Sequence, residues 1–210
     1  MFLTAPGRQS ANAEAFVSSL TRAAGVQVRV LSTAEEARLA YAGAVATAST
    51  SLPETIAVCD VGGASTELAI GAPDRAPNWV ESVDIGSVRL TTRASDLQEM
   101  CAEAAAAFAH VRPPRVDAGL CVGGSARASR RLVGPALGGG ELGEALRLVQ
   151  AKSPRAISRR FGIDRARARI LPAGVLLLAE VQRLLGVPMQ VCEGGIREGA
   201  VLASHARLAA

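Results

Sequence analysis

The sequence predicts an α/β fold: a mixed five-stranded sheet with three antiparallel strands, flanked by helices. Three observations lead there. Apolar residues make up 49% of the 210-residue chain and charged residues 20%, which sets disorder and fibrous repeats aside. Aromatics are only 3%, so the core must be Ala, Val, Leu and Ile, a composition suited to helices lying close on a sheet. Short apolar or alternating runs bounded by Gly and Pro recur between stretches of helical period, the mark of mixed layers.

Taken in order, residues 10–24 carry an apolar stripe (Ala13, Phe16, Val17, Leu20, Ala24) stopped by Gly25, which reads as a helix. Val26–Leu31 alternates and reads as a strand with Val26, Val28 and Val30 on its buried face. Ser32 or Thr33 then caps a helix from Ala34 to about Thr47, and Thr33 with Glu36 fits a capping box. Ala48–Glu54 is a connection with Pro53 as its hinge. Ile56–Val61, Thr66–Ile70 and Trp79–Ile85 read as a three-stranded meander, with Gly62-Gly63 in the first turn. Helices follow near Ser87–Thr92 and Ser95–His110, then a strand at Val116–Val122 that runs into Gly123-Gly124-Ser125 and another helix. Residues 141–186 read as helical with breaks near Pro154, Gly162 and Pro172. Met189–Cys192 is the fifth strand and Ile196–Ala206 the closing helix.

Composition narrows the chemistry. The longest apolar stretches, Leu39–Ala48 and Ile170–Ala179, fall short of the ~20 residues of a membrane span, and Met1-Phe2-Leu3 meets Pro6, Gly7 and Arg8 too soon for a signal peptide. A soluble, cytoplasmic protein is the expectation. Cys59, Cys101, Cys121 and Cys192 lie far apart without metal or redox spacing, so buried reduced thiols are expected. His110 and His205 are the only histidines, which leaves zinc and serine-hydrolase chemistry poorly supplied. The net charge of +4 rests on arginine, Lys152 being the only lysine. Arg127, Arg130 and Arg131 share one helix, and Arg155 to Arg169 form a second cluster. Such forks suit a polyanion, but they equally suit a solvated face. With no aromatic platform, nucleic-acid binding is not expected.

The sharpest segment is Ile56-Ala57-Val58-Cys59-Asp60-Val61-Gly62-Gly63-Ala64-Ser65-Thr66-Glu67-Leu68. An apolar strand delivers Asp60 to its tip. Gly62 and Gly63 then allow a tight turn whose N–H groups can converge on an anion, and Ser65 and Thr66 add hydroxyls. Asp60 and Glu67 stand on the two strands joined by that turn and could hold a hard cation, directly or through water.

This segment resembles the second phosphate loop of the exopolyphosphatase/guanosine-pentaphosphate phosphatase family, within the actin-like (ribonuclease H-like) superfamily. Other segments agree in order. Thr4-Ala5-Pro6-Gly7-Arg8 with Asn12 is similar to the family's Ala-Thr-x-x-x-Arg-x-Ala-x-Asn stretch, and Thr33–Gly43 resembles its Glu-Glu-Ala-Arg-Leu-x-Tyr-x-Gly helix. Ile85–Thr91, Val122–Ala128 and Glu193–Gly199 resemble its Gly-Ser-Val-Arg-Leu-Thr, Gly-Gly-Ser-x-Arg-Ala and Gly-Leu-Arg-Glu-Gly motifs.

The resemblance implies an actin-like second lobe over residues 53–210, preceded at 1–52 by a fragment of a first lobe, with helix 196–206 packing back on that fragment. It implies a metal-assisted hydrolase that releases terminal phosphate from polyphosphate or guanosine pentaphosphate. Glu36 becomes the base that activates water, and Asp60 and Glu67 the carboxylates linked to Mg²⁺ or a similar divalent ion. Gly62, Gly63, Ser65 and Thr66 become the phosphate cradle, joined by Gly123, Gly124 and Ser125 at a helix N-terminus. Glu36 also reads as a capping glutamate, and Gly123–Ser125 as a structural turn. Arg8 faces either the cleft or an acid, Arg38 either an acid or phosphate, and Arg89 has a structural reading between the lobes.

Two departures stand out. Ala64 takes the place of a third glycine, which is harmless only at negative φ. The family's first Asp-x-Gly-Ser/Thr loop does not precede residue 56, so an alternative is a catalytically incompetent module that binds phosphate or an alarmone. Both the resemblance and the incomplete lobe point to a homodimer. Residues 1–52 are expected to self-associate or be poorly soluble.

Overall fold

The computed structural model describes residues 1–208, with side chains through His205. Its sheet is built on β3 (Ile56–Val61), whose six residues are all buried. Antiparallel to it runs β4 (Thr66–Gly71), which pairs in turn with β5 (Trp79–Val83). On the other side β6 (Ala118–Val122) and β8 (Met189–Val191) continue the sheet in parallel. The five expected strands are present. A sixth, β7 (Ala136–Leu137), pairs antiparallel with β8 and closes that edge, giving the order β5-β4-β3-β6-β8-β7. Two residues carry too little periodicity to announce a strand.

Period-2 alternation along β3 assigns its side chains to two layers. Ile56 and Val58, with Ala69, Leu120 and Val122 from neighbouring strands, meet Ala37, Ala40, Tyr41 and Ala44 of α3 (Thr33–Ala46). Ala57, Cys59 and Val61 face the opposite layer. That layer centres on α9 (Arg165–Leu185), with α4 (Ser87–Arg93), α5 (Leu97–Phe108), α6 (Gly123–Val133), α7 (Gly139–Ala151) and α8 (Pro154–Phe161) around it. Pro172 lies inside α9 rather than ending it; in the layer's centre, packing on both sides outweighs one lost backbone bond.

The closing helix α10 (Ile196–Leu208) crosses α3 at backbone distance. A Cβ on Gly43 would overlap the Gly195 carbonyl, and one on Gly199 the Leu39 carbonyl. Thr47 Oγ1 accepts from the Gly194 N–H at 2.9 Å across the same crossing.

The first 31 residues depart most from expectation. The helix foreseen over 10–24 is α2 (Ala13–Ala24), which has no buried residue, and a short helix that was not foreseen, α1 (Ala5–Gln9), precedes it. The strand foreseen over Val26–Leu31 shrinks to β2 (Arg29–Val30), parallel to β1 (Phe2–Leu3). Val26, expected inside, is 49% exposed. Without a broad sheet to face, its alternation has nothing to bury against. No described helix is long and apolar enough to cross a membrane. All four cysteines are free, and only Cys101 is exposed.

Candidate functional site

The β3–β4 register sets Asp60 directly opposite Glu67, so both carboxyls leave the sheet on one face. It is the face covered by α3. At the start of α3 the capping box is formed by Ser32 and Glu35, not by Thr33 and Glu36: Ser32 Oγ accepts from the Glu35 N–H, and the Glu35 carboxylate accepts from the Ser32 N–H. That one-residue correction matters. It leaves Glu36 free to turn inward, where it is 2% exposed, toward the two strand acids.

A cavity of about 470 Å³ lies where these parts meet. Glu36, Asp60, Gly62, Gly63, Ser65 and Glu67 all line it, with Thr4–Pro6 before and within α1, Val88, Arg89 and Thr92 of α4, and Ile196 of α10. Like charges set side by side in an apolar wall disfavour one another. Burial, with Glu36 nearby, raises the Asp60 carboxyl to about 6, against the pull of Arg127. Burial also raises Glu67 to about 8; Ser65 opposes this, Glu36 and Asp60 add to it, and Ser82 lowers it by donating at 3.2 Å. Glu36 is raised by burial and drawn back by Arg8. Arg8 settles its open question by pairing: Nη1 donates to Glu36 Oε1 at 2.5 Å and to the Leu31 carbonyl, while its buried Nη2 has no partner among the described residues.

The glycine loop is held from behind. The first amides of α4 donate to it, Ser87 to the Gly62 carbonyl at 2.9 Å, Val88 and Arg89 to that of Gly63 at 2.9 and 3.0 Å. Those bonds fasten the loop to the start of α4. Gly63, Ala64 and Ser65 donate to no backbone carbonyl among the described residues, so their N–H groups remain available to an anion. Neither Gly62 nor Gly63 has positive φ, and among the described residues no non-glycine does, so Ala64 fits without strain.

Some expected members lie elsewhere. Thr66 does not offer its hydroxyl to the cradle: it is fully buried and donates to the Ile85 carbonyl at 2.7 Å, because the end of β4 needs that bond inside the fold. Gly123, at φ +87, stands against the Asp60 carboxylate, where a Cβ would overlap Oδ1. Gly124 lies under the Arg167 guanidinium, beside a separate hollow of about 420 Å³ that Arg127 and Arg131 also line. Ser125 is buried against Gly174, its Oγ unpartnered, and it does not cap α6. Arg38 is exposed and outside the cavity.

Gly86 had no role in the sequence reading beyond its motif. A Cβ there would stand 2.5 Å from Gly63 C and 2.6 Å from Ala64 N. The loop backbone rests on it, and its motif position was the only available signal.

A divalent cation fits this donor set. Hard carboxylate oxygens are present, and a bound cation would favour the ionised forms of Asp60 and Glu67, which burial now disfavours. Among the described residues no three His, Cys, Asp or Glu side chains group as a metal cage.

The model of the Ppx/GppA phosphatase family matches residues 1–116, more than half of the chain. A Ppx/GppA family member of Aquifex aeolicus superposes with a TM-score of 0.82 at 23% identity, over 98% of this chain and 73% of its own. An exopolyphosphatase-like protein does so with 0.86 at 24%, over 99% and 77%. An exopolyphosphatase from Cytophaga hutchinsonii gives 0.79 at 18%, over 97% and 73%. At such identities these structures speak for the actin-like fold, and the family match speaks for descent. The chain belongs to the Ppx/GppA phosphatase family.

Proposed function

We propose that the cavity hydrolyses phosphoanhydrides, releasing terminal phosphate from inorganic polyphosphate or guanosine pentaphosphate. One observation carries the reading: Glu36 shares a single cavity with Asp60, Glu67 and the Gly62–Ser65 loop. The loop N–H groups and the Ser65 hydroxyl bind the terminal phosphate and fix its orientation. Glu36 orients a water on the far side and accepts its proton as the new P–O bond forms. The bridging P–O bond breaks, and the bond's electrons leave on the departing chain's oxygen. Asp60 and Glu67 would hold Mg²⁺ or a similar ion, which supplies neutralisation of phosphate charge.

Burial raises the Glu36 carboxyl, and Arg8 opposes that rise, which favours the anionic form that a base needs. The test is orthophosphate release from polyphosphate and from guanosine pentaphosphate, with magnesium and with chelator. Magnesium-dependent release that vanishes in Glu36→Gln supports the reading. Binding without release by the unmodified chain would instead favour the incompetent phosphate-binding module.

A further inference from the structure

Among the described residues, three carboxylates and one cationic side chain, Arg89, line the cavity that would receive a phosphate chain. Arg8 is not part of that lining; its Nη1 bonds Glu36 and the Leu31 carbonyl. Arg89 is anchored at its backbone, where its N–H donates to the Gly63 carbonyl at 3.0 Å. Its guanidinium is spent elsewhere. Nη1 bonds the Asp84 carboxylate and, at 3.1 Å, the Asp84 carbonyl, and Nη2 bonds Gln9 Oε1. Gln9 in turn donates Nε2 to Asp84 Oδ1 at 2.7 Å. These three side chains clasp α1, whose start walls the cavity, to the β5–α4 corner on the other side.

The clasp is made of replaceable parts. Asp84 is 63% exposed and the Arg89 side chain 20%, so water competes for the pair and its strength is small. A phosphate offers two oxygens in the geometry the guanidinium fork prefers.

Resting on the proposed phosphate reading, we propose that Arg89 is an exchangeable ligand contact. It is held by Asp84 and Gln9 in the free protein and turns to a phosphate of the bound chain, and that exchange unfastens α1 from α4. Arg89 is then a specificity-determining residue for polyanions, and Asp84 and Gln9 are its competitors.

The competition makes the test two-sided. Binding of inorganic tripolyphosphate with magnesium is measured by calorimetry on the full chain, beside orthophosphate release. Arg89→Ala raises Kd on the order of 10- to 100-fold, the loss of a charged hydrogen-bonding partner. Asp84→Asn and Gln9→Ala each lower Kd, roughly two- to fivefold, because the fork is released. Should Arg89→Ala fail to fold, Arg89→Lys, which keeps the charge without the fork, is expected to bind with intermediate affinity. A purely structural clasp predicts that all three variants weaken binding alike, and that result overturns the proposal, as does unchanged affinity in Arg89→Ala or Arg89→Lys. Unmodified chain that binds tripolyphosphate without releasing phosphate defeats the hydrolase reading and leaves the Arg89 assignment standing.

Discussion

Two regions of this molecule handle charge in opposite ways. At the tip of β3 and β4, Glu36, Asp60 and Glu67 are almost wholly buried around one cavity, at 2%, 9% and 3% exposure. Elsewhere, Gly124, Arg127, Arg131 and Arg167 line a hollow whose cations lie at the surface or are only half-buried. The chain carries net charge +4, yet the charges taken out of water are the acids. Hydrated arginines cost the fold little. Buried carboxylates need another reason, and the proposed phosphate chemistry offers one.

The sharpest way to break the comparison is to neutralise one acid. Glu36→Gln should lower kcat by roughly 10²–10⁴, the usual contribution of a positioned base, with polyphosphate affinity nearly unchanged. Steady-state phosphate release beside calorimetry checks it, and retained turnover would remove Glu36 from its role.

Glycines sharpen the contrast next. Gly86→Ala drives a Cβ into the backbone of Gly63 and Ala64, with a cost of about 1–3 kcal/mol for overpacking and collapse of phosphate release. Gly124→Ala meets only the mobile end of Arg167 and should shift the denaturation midpoint by less than half as much. Urea unfolding of the two variants side by side decides it.

The pH response of stability follows from the raised carboxyls. With Asp60 at about 6 and Glu67 at about 8, the folded protein holds protons that the unfolded chain gives up above about pH 4. The associated stability is full below that point and lost as pH rises through 6 and 8. Tm measured in chelator should therefore fall from pH 5 to pH 9, and the double variant Asp60→Asn, Glu67→Gln should flatten the slope. Magnesium should restore Tm more at pH 8 than at pH 5, because it binds the ionised pair.

The smallest effect belongs to the arginine hollow. Arg131→Ala should change stability by under about 0.5 kcal/mol, as exposed charges do, and leave the pH slope untouched. A shift as large as that of the buried acids would erase the distinction between the regions.

How much was legible beforehand follows the range of the signal. The apolar run of β3, its acid tip, the glycine bend and Glu67 are neighbours in sequence, and their local pattern specifies a hairpin with paired acids. Thr66 was misjudged as a phosphate hydroxyl because its partner, Ile85 O, lies far along the chain. Val26 was misjudged as buried because alternation says which residues share a face but not what covers that face. The capping box was placed one residue late because Thr33 with Glu36 and Ser32 with Glu35 fit the same spacing.

Local pattern alone specifies the α/β layers, five of the strands and the acid-and-glycine constellation, since hydrophobic period and turn residues act over a few positions. The tertiary structure alone decided that Glu36 turns inward to Arg8, that Gly86 supports the loop, and that Arg89 is tied to Asp84 and Gln9. Each of those depends on which distant side chain arrives first at a shared hydrogen bond or a shared space, and no local pattern encodes that outcome.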